Sequence, residues 1–198
     1  MAGVAGSAQQ SQKPVAPMTA SRLSTDVAVT FAGERSQIVP GENTFWFKGG
    51  GVDAAVTFWK GLGVAAALTG DNASNVTPGV DVSKIAFLAG PRYTYTAWQG
   101  RARPADSRRL QIFAQGLFGG AHAFDGLYPK GTGLATSASS FALQAGGAAN
   151  LYLTPHWGLR LLEADYVRTE LPNAAADAQN DFRLAAGVTY HFQSQRKR

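Results

Sequence analysis

Five charged residues pose the first question of this sequence. Asp53, Arg92, Glu163, Asp165 and Arg183 each interrupt a stretch that otherwise alternates apolar with small residues. All five fall on the small or polar side of that alternation. A lone charge in a low-dielectric interior is costly, so each needs an opposite partner. Two guanidinium groups and three carboxylates can satisfy one another, because the planar fork of Arg bridges two carboxylates. The expected chemistry is an interior ion-pair network. A gated ion path is the alternative, and paired charges plug a narrow interior rather than open it.

Other reactive side chains are sparse. His122, His156 and His191 make no metal-ligand spacing with one another or with a carboxylate. Ser139 and Ser140 meet His122 only if their two segments pair closely, and a lipid-modifying hydrolase would need an acid converging there too. Asp71, Asn72 and Asp81 carry oxygens for a cation, but their spacing is not that of a calcium loop. The chain has no Cys, which removes disulfides and thiolate metal sites. No enzyme activity, cofactor or metal is expected.

The net charge of +5 raises the possibility of a nucleic-acid partner. Its Arg residues gather at Arg101, Arg103, Arg108 and Arg109 and in the tail Arg196-Lys197-Arg198. Neither group is interleaved with aromatics as a single-strand groove would be, so no nucleic acid is expected. Only 16% of residues are charged, against about 25% in an ordinary soluble domain. No run of about 20 apolar residues exists to form a membrane helix.

The elements that must hold the five charges come from period-two alternation. The clearest is 182–192, where Phe182, Leu184, Ala186, Val188, Tyr190 and Phe192 share one parity and Arg183, Ala185, Gly187, Thr189 and His191 the other. The same rhythm runs through 26–35, 45–59, 62–69, 84–96, 109–123, 140–153 and 157–169. Lys60-Gly61 reads as a tight hairpin turn, and Gly49-Gly50-Gly51 as a bulge or bend. Residues 70–83 and 124–138 read as long polar loops. Of these, Phe124, Leu127 and Tyr128 are the candidate loop contact, or aromatics that pack back on the rim. The 198 residues divide into a disordered segment or signal remnant (1–23), one barrel (24–192) and a basic tail (193–198). Gly6-Ser7-Ala8 has the small-residue character of a secretory cleavage site.

Eight antiparallel strands with short turns at one end and longer loops at the other fit an all-β, up-and-down transmembrane β-barrel. A soluble lipocalin-like barrel would turn the apolar parity inward and needs many Lys and Glu outside. The polar parity here is mostly Ala, Gly and Thr, which suits a crowded interior. Aromatics near strand ends, Phe58, Tyr93, Tyr95, Tyr166, Tyr190 and Phe192, suit interfacial girdles.

Three stretches carry a family resemblance: Leu88-Ala89-Gly90-Pro91-Arg92-Tyr93, Glu163-Ala164-Asp165-Tyr166-Val167-Arg168-Thr169, and Gly187-Val188-Thr189-Tyr190-His191-Phe192. In these the chain resembles the small eight-stranded outer-membrane β-barrels that include the OmpA membrane domain. The resemblance makes Tyr190 and Phe192 the closing-strand signal, although Gln193 to Arg198 follow where the family ends on Phe. It implies a monomer in the bacterial outer membrane with a plugged lumen and a structural, anchoring or surface-contact role. The implied partners are outer-membrane lipids, lipopolysaccharide and the barrel assembly machinery.

Overall fold

The computed structural model describes residues 23–37, 44–77, 80–100, 108–130, 132–172 and 178–193. The segment 1–22, the tail after 193, and Arg101 and Arg103 lie outside the described residues. Eight strands follow one another: β1 (Ser24–Gln37), β2 (Thr44–Trp59), β3 (Leu62–Thr77), β4 (Val80–Gln99), β5 (Arg109–Lys130), β6 (Gly133–Tyr152), β7 (Trp157–Thr169) and β8 (Gln179–Gln193). Each pairs antiparallel with its neighbours in sequence, and β1 pairs with β8, so the sheet closes on itself. It is an up-and-down barrel with no free lateral edge along its body.

Alternation decides the wall. Val29, Phe31, Val52, Val64, Leu68, Phe87, Ile112, Phe118 and Val188 are exposed on the outside, Phe31 at 80%. Their neighbours Ala28, Thr30, Asp53, Ala65, Ala67, Leu88, Phe113 and Thr189 are buried inside. Lys60 and Gly61 both take positive φ, 46° and 92°, the geometry of a two-residue hairpin whose twist matches its strands.

Three expectations change. Residues 70–83 and 124–138 are mostly ladder rather than loop. The β3–β4 pair continues through Ala73↔Val82 to Thr77↔Val80, and β5–β6 runs to Lys130↔Gly133. These segments are rich in Ser, Thr, Asn and Gly because they need no apolar face, so hydropathy does not mark them. Second, Gly49-Gly50-Gly51 is no bulge: the register with β1 and β3 runs through it unbroken. A Cβ at Gly49 would collide with the Asp71 carboxylate, so this glycine makes room inside. Third, the bulge that matters is in β7. Arg160↔Gly187 and Glu163↔Ala185 leave one extra residue on β7, and Leu161 and Leu162 both point outward, 49% and 54% exposed. Inward parity therefore moves from even to odd across that point.

Candidate functional site: the charged lumen

The interior is floored on one side by small and aliphatic residues, Ala55, Ala65, Ala67, Ala86, Leu88, Leu117, Ala121 and Ala142. The remaining space is taken by charged side chains. All five sequence-derived candidates are buried: Asp53, Arg92, Glu163, Asp165 and Arg183.

Around Asp53 lies the densest group. Arg92 Nη2 donates to Asp53 Oδ1 at 2.9 Å, and Arg92 Nε donates to Gln115 Oε1 at 3.0 Å. Arg160 joins from the other wall, donating to Asp53 Oδ2, to Glu163 Oε2 at 2.6 Å and to Asn150 Oδ1 at 3.1 Å. Both guanidinium groups lie over the Phe113 ring, 4.0 and 4.9 Å from its centroid. Such packing gives a delocalised cation a partner where no further acceptor fits. Arg160 is only 1% exposed, and simple alternation turns it outward. The β7 bulge brings it in.

Toward the long-loop end, Arg183 Nη1 donates to Asp71 Oδ2 at 3.1 Å. Lys84 donates to Glu34, and its Nζ lies 4.0 Å from Asp181 Oδ2. Asp165 and Arg183 are cross-strand neighbours, yet the hydrogen bonds of Arg183 go to Asp71 across the lumen. Among the described residues neither carboxylate oxygen of Asp165 meets a hydrogen-bond partner within bonding geometry, although Gln144 and Glu163 lie beside it, and neither does Asp181 Oδ1. Asp165 lies over Gly146, where a Cβ would strike it. At the short-turn end, His191 Nδ1 lies 2.6 Å from Asp26 Oδ1, and Tyr152 donates its hydroxyl to the same oxygen at 2.6 Å. Arg109 stacks on Tyr152, 4.1 Å from the ring centroid.

Asp26, Glu34, Asp71, Lys84, Asp181 and His191 were absent from the sequence-derived network, although each lies on an inward parity. Asp71 and Asn72, two of the three side chains whose oxygens could serve a cation but whose spacing is not that of a calcium loop, are sent by alternation to opposite faces. Asp71 goes inside to Arg183, while Asn72 stays exposed and donates to Ser83 Oγ at 3.0 Å. Among the described residues no three His, Cys, Asp or Glu side chains converge as a metal would require.

His122 and Ser139 do meet, because β5 and β6 pair in that register. Nδ1 and Oγ are 2.8 Å apart on the outer surface, beside Phe124. No carboxylate completes the pair among the described residues. Tyr190 and Phe192 form an outward aromatic cluster at the short-turn end, with ring centroids 4.6 Å apart and Trp157 4.8 Å from Tyr190. The three candidate loop residues part company. Tyr128 is 9% exposed and packs back on Ala123 and Leu171, Phe124 is half-buried, and Leu127 is 60% exposed. Burial, with the Asp125 carboxylate nearby, pushes the Tyr128 hydroxyl pKa up, so that phenol stays neutral.

No protein-family model matches the chain, and no curated protein matches it. Solved structures do. Neisserial surface protein A superposes with a TM-score of 0.58 at 15% identity, over 86% of this chain and 97% of that one. Ail, the attachment invasion locus protein of Yersinia pestis, superposes with a TM-score of 0.50 at 15% identity, over 85% of this chain and 98% of that one. A further structure of Ail, in complex with the heparin analogue sucrose octasulfate, also has a TM-score of 0.50 and 15% identity, over 86% and 99% of the two chains. The chain has the fold of the small eight-stranded outer-membrane barrels.

Proposed function

We propose that this protein is an integral barrel of the bacterial outer membrane, closed by its own luminal ion pairs, with an anchoring and surface-contact role. The inverted distribution of side chains carries the reading. Phe31, Leu68, Phe87 and Phe118 are exposed while Arg92, Arg160, Arg183 and Lys84 are buried. Water would reject that exterior, and a hydrocarbon layer accepts it. Each strand is laddered to a neighbour on both sides and the sheet closes on itself, so the wall presents no open edge to a bilayer. The fold shared with Ail and Neisserial surface protein A supports the same setting.

An eight-stranded barrel is just wide enough to be filled by side chains. The cross-lumen bonds of Arg160 to Asp53 and of Arg183 to Asp71 span the space an ion would use. The contact surface is assigned to the β5–β6 hairpin, which continues past the last β4–β5 pair at Ser83↔Phe124. It carries exposed Leu127 and Leu134 beyond the barrel body. Ail has been solved with a sulfated heparin analogue, which makes acidic glycans one probe for such contact here.

The test is membrane partitioning of the expressed protein, with heat-modifiable gel migration as the sign of a folded barrel. Recovery in the outer-membrane fraction is expected, and Val188→Arg should destabilise the barrel by about 2–4 kcal/mol near the bilayer midplane. A protein that is monomeric in buffer without detergent would overturn the reading. A steady open conductance in planar bilayers would overturn the closed lumen alone.

A further inference from the structure

We propose that the open edge of β6, from Gly133 to Ser140, takes an added strand from an extended segment of an extracellular protein. The inference deepens the surface-contact reading above and rests on it. Pairing of β6 with β7 begins at Ala142↔Thr169, while pairing of β6 with β5 continues outward to Lys130↔Gly133. Beyond the barrel body these two strands stand as a ribbon. The last link on the β7 side is Glu170, whose N–H donates to Phe141 O at 3.2 Å. The chain then turns its backbone elsewhere. Leu171 N–H donates to Gln179 Oε1 at 3.0 Å, and Leu171 O accepts from Gln179 Nε2 at 2.9 Å. Among the described residues no strand pairs with β6 above that point on its β7 side.

The two edges of the ribbon are built differently. The β5 edge holds Asp125 at φ 63°, then Pro129 and Lys130. The extra residues at the register shift between Phe124 and Tyr128 also lie on β5. A charge, a bulge, a proline and a lysine are the devices that keep an edge from recruiting another strand. From Gly133 to Ser140 the β6 edge has no charged residue and no Pro, and Thr136, Ser137 and Ser139 are exposed.

Backbone complementarity names the class of partner. In an antiparallel ladder, alternate residues aim N–H and C=O at opposite neighbours. Every second residue of the β6 edge therefore aims both groups at the open side. A row of donors and acceptors at strand spacing is matched by another extended backbone. A second copy does not supply it. Two copies in one membrane are related by a two-fold along the membrane normal, which crosses like edges at twice the strand tilt rather than laying them side by side. Ala135, Ser137, Ala138 and Ser139 are small, so the added strand has room for β-branched or aromatic side chains opposite them. Leu134, 69% exposed, supplies an apolar contact near the tip. The partner is an extended, proline-free segment with bulky alternate side chains.

The test uses the full-length folded protein in phosphatidylcholine nanodiscs. The probes are a short synthetic peptide alternating Val and Thr, and the same peptide with every backbone N–H methylated. Amide hydrogen exchange at early times is read by mass spectrometry, and insertion is scored in the same samples by heat-modifiable migration. Saturating peptide should slow exchange of the edge amides within 133–140 by about tenfold or more and leave 125–130 unchanged. The methylated peptide should protect neither edge. No protection, equal protection from the methylated peptide, or equal protection of both edges overturns the strand-addition site, while insertion keeps the membrane reading. Failure of the parent to insert overturns both.

Discussion

The two halves of the lumen hold the same kinds of side chain and bond them differently. Near Asp53, two guanidinium groups share Asp53 and reach Glu163, Gln115 and Asn150. Every cation there serves more than one acceptor. Nearer the long loops, Arg183 serves Asp71 and Lys84 serves Glu34, while among the described residues Asp165 keeps both oxygens, and Asp181 one, without a donor. The difference follows from donor geometry and from number. A guanidinium fork distributes five N–H groups over a plane, whereas an ammonium acts as a point charge, and carboxylates outnumber the cations that can reach them. The first half is a closed network and the second an open one, and the cost of deleting a charge should differ accordingly.

The largest effect is expected from Arg160→Met. It leaves Glu163 without its cation and Asp53 with Arg92 alone, and breaking a buried pair in this way costs about 3–5 kcal/mol. Urea unfolding of the barrel in lipid vesicles measures it, and a loss below about 1 kcal/mol would mean that Arg92 alone can hold both acids. A smaller loss is expected from Arg183→Met, with a second change deciding which acid it serves. Adding Asp71→Leu should restore much of the stability, and adding Asp165→Leu should restore less. The reverse order would return Arg183 to its cross-strand neighbour. The smallest effect has the opposite sign: Asp165→Asn replaces a buried carboxyl whose oxygens meet no donor among the described residues and should raise stability by about 1 kcal/mol. A destabilised Asp165→Asn barrel would show that the open half is bonded as tightly as the closed one.

Much of this was legible from alternation alone. Inward placement of Asp53, Arg92, Glu163, Asp165 and Arg183 follows from counting by twos along each strand, and so do the outward Tyr190 and Phe192. What alternation cannot carry is partner identity. Arg183 meets Asp71 rather than Asp165 because a side chain of that length crosses a narrow lumen, and only closure of the sheet brings β3 opposite β8. Arg160 was hidden for another reason: one extra residue at Leu161-Leu162 reverses the count, and two consecutive leucines are all the sequence offers as a sign of it. The β5–β6 hairpin was read as a loop because pairing above the apolar band leaves no hydrophobic trace, and Asp125 at φ 63° marks the irregularity inside it.

The pairing of β1 with β8 also sets an order of assembly. Every other strand pair joins neighbours in the chain and can form as a hairpin while the rest is incomplete. The seam from Thr25↔Phe192 to Arg35↔Phe182 joins the two ends, with Asp26 and His191 meeting across 165 residues of chain. Loop closure of that length is the costly, non-local step. A nascent chain lacking its last strand would present two raw edges with nothing to cap them, so the sheet closes only when its final segment arrives. The residues that latch it, a carboxylate and an imidazole 2.6 Å apart, sit at the first and last turns of the whole construction.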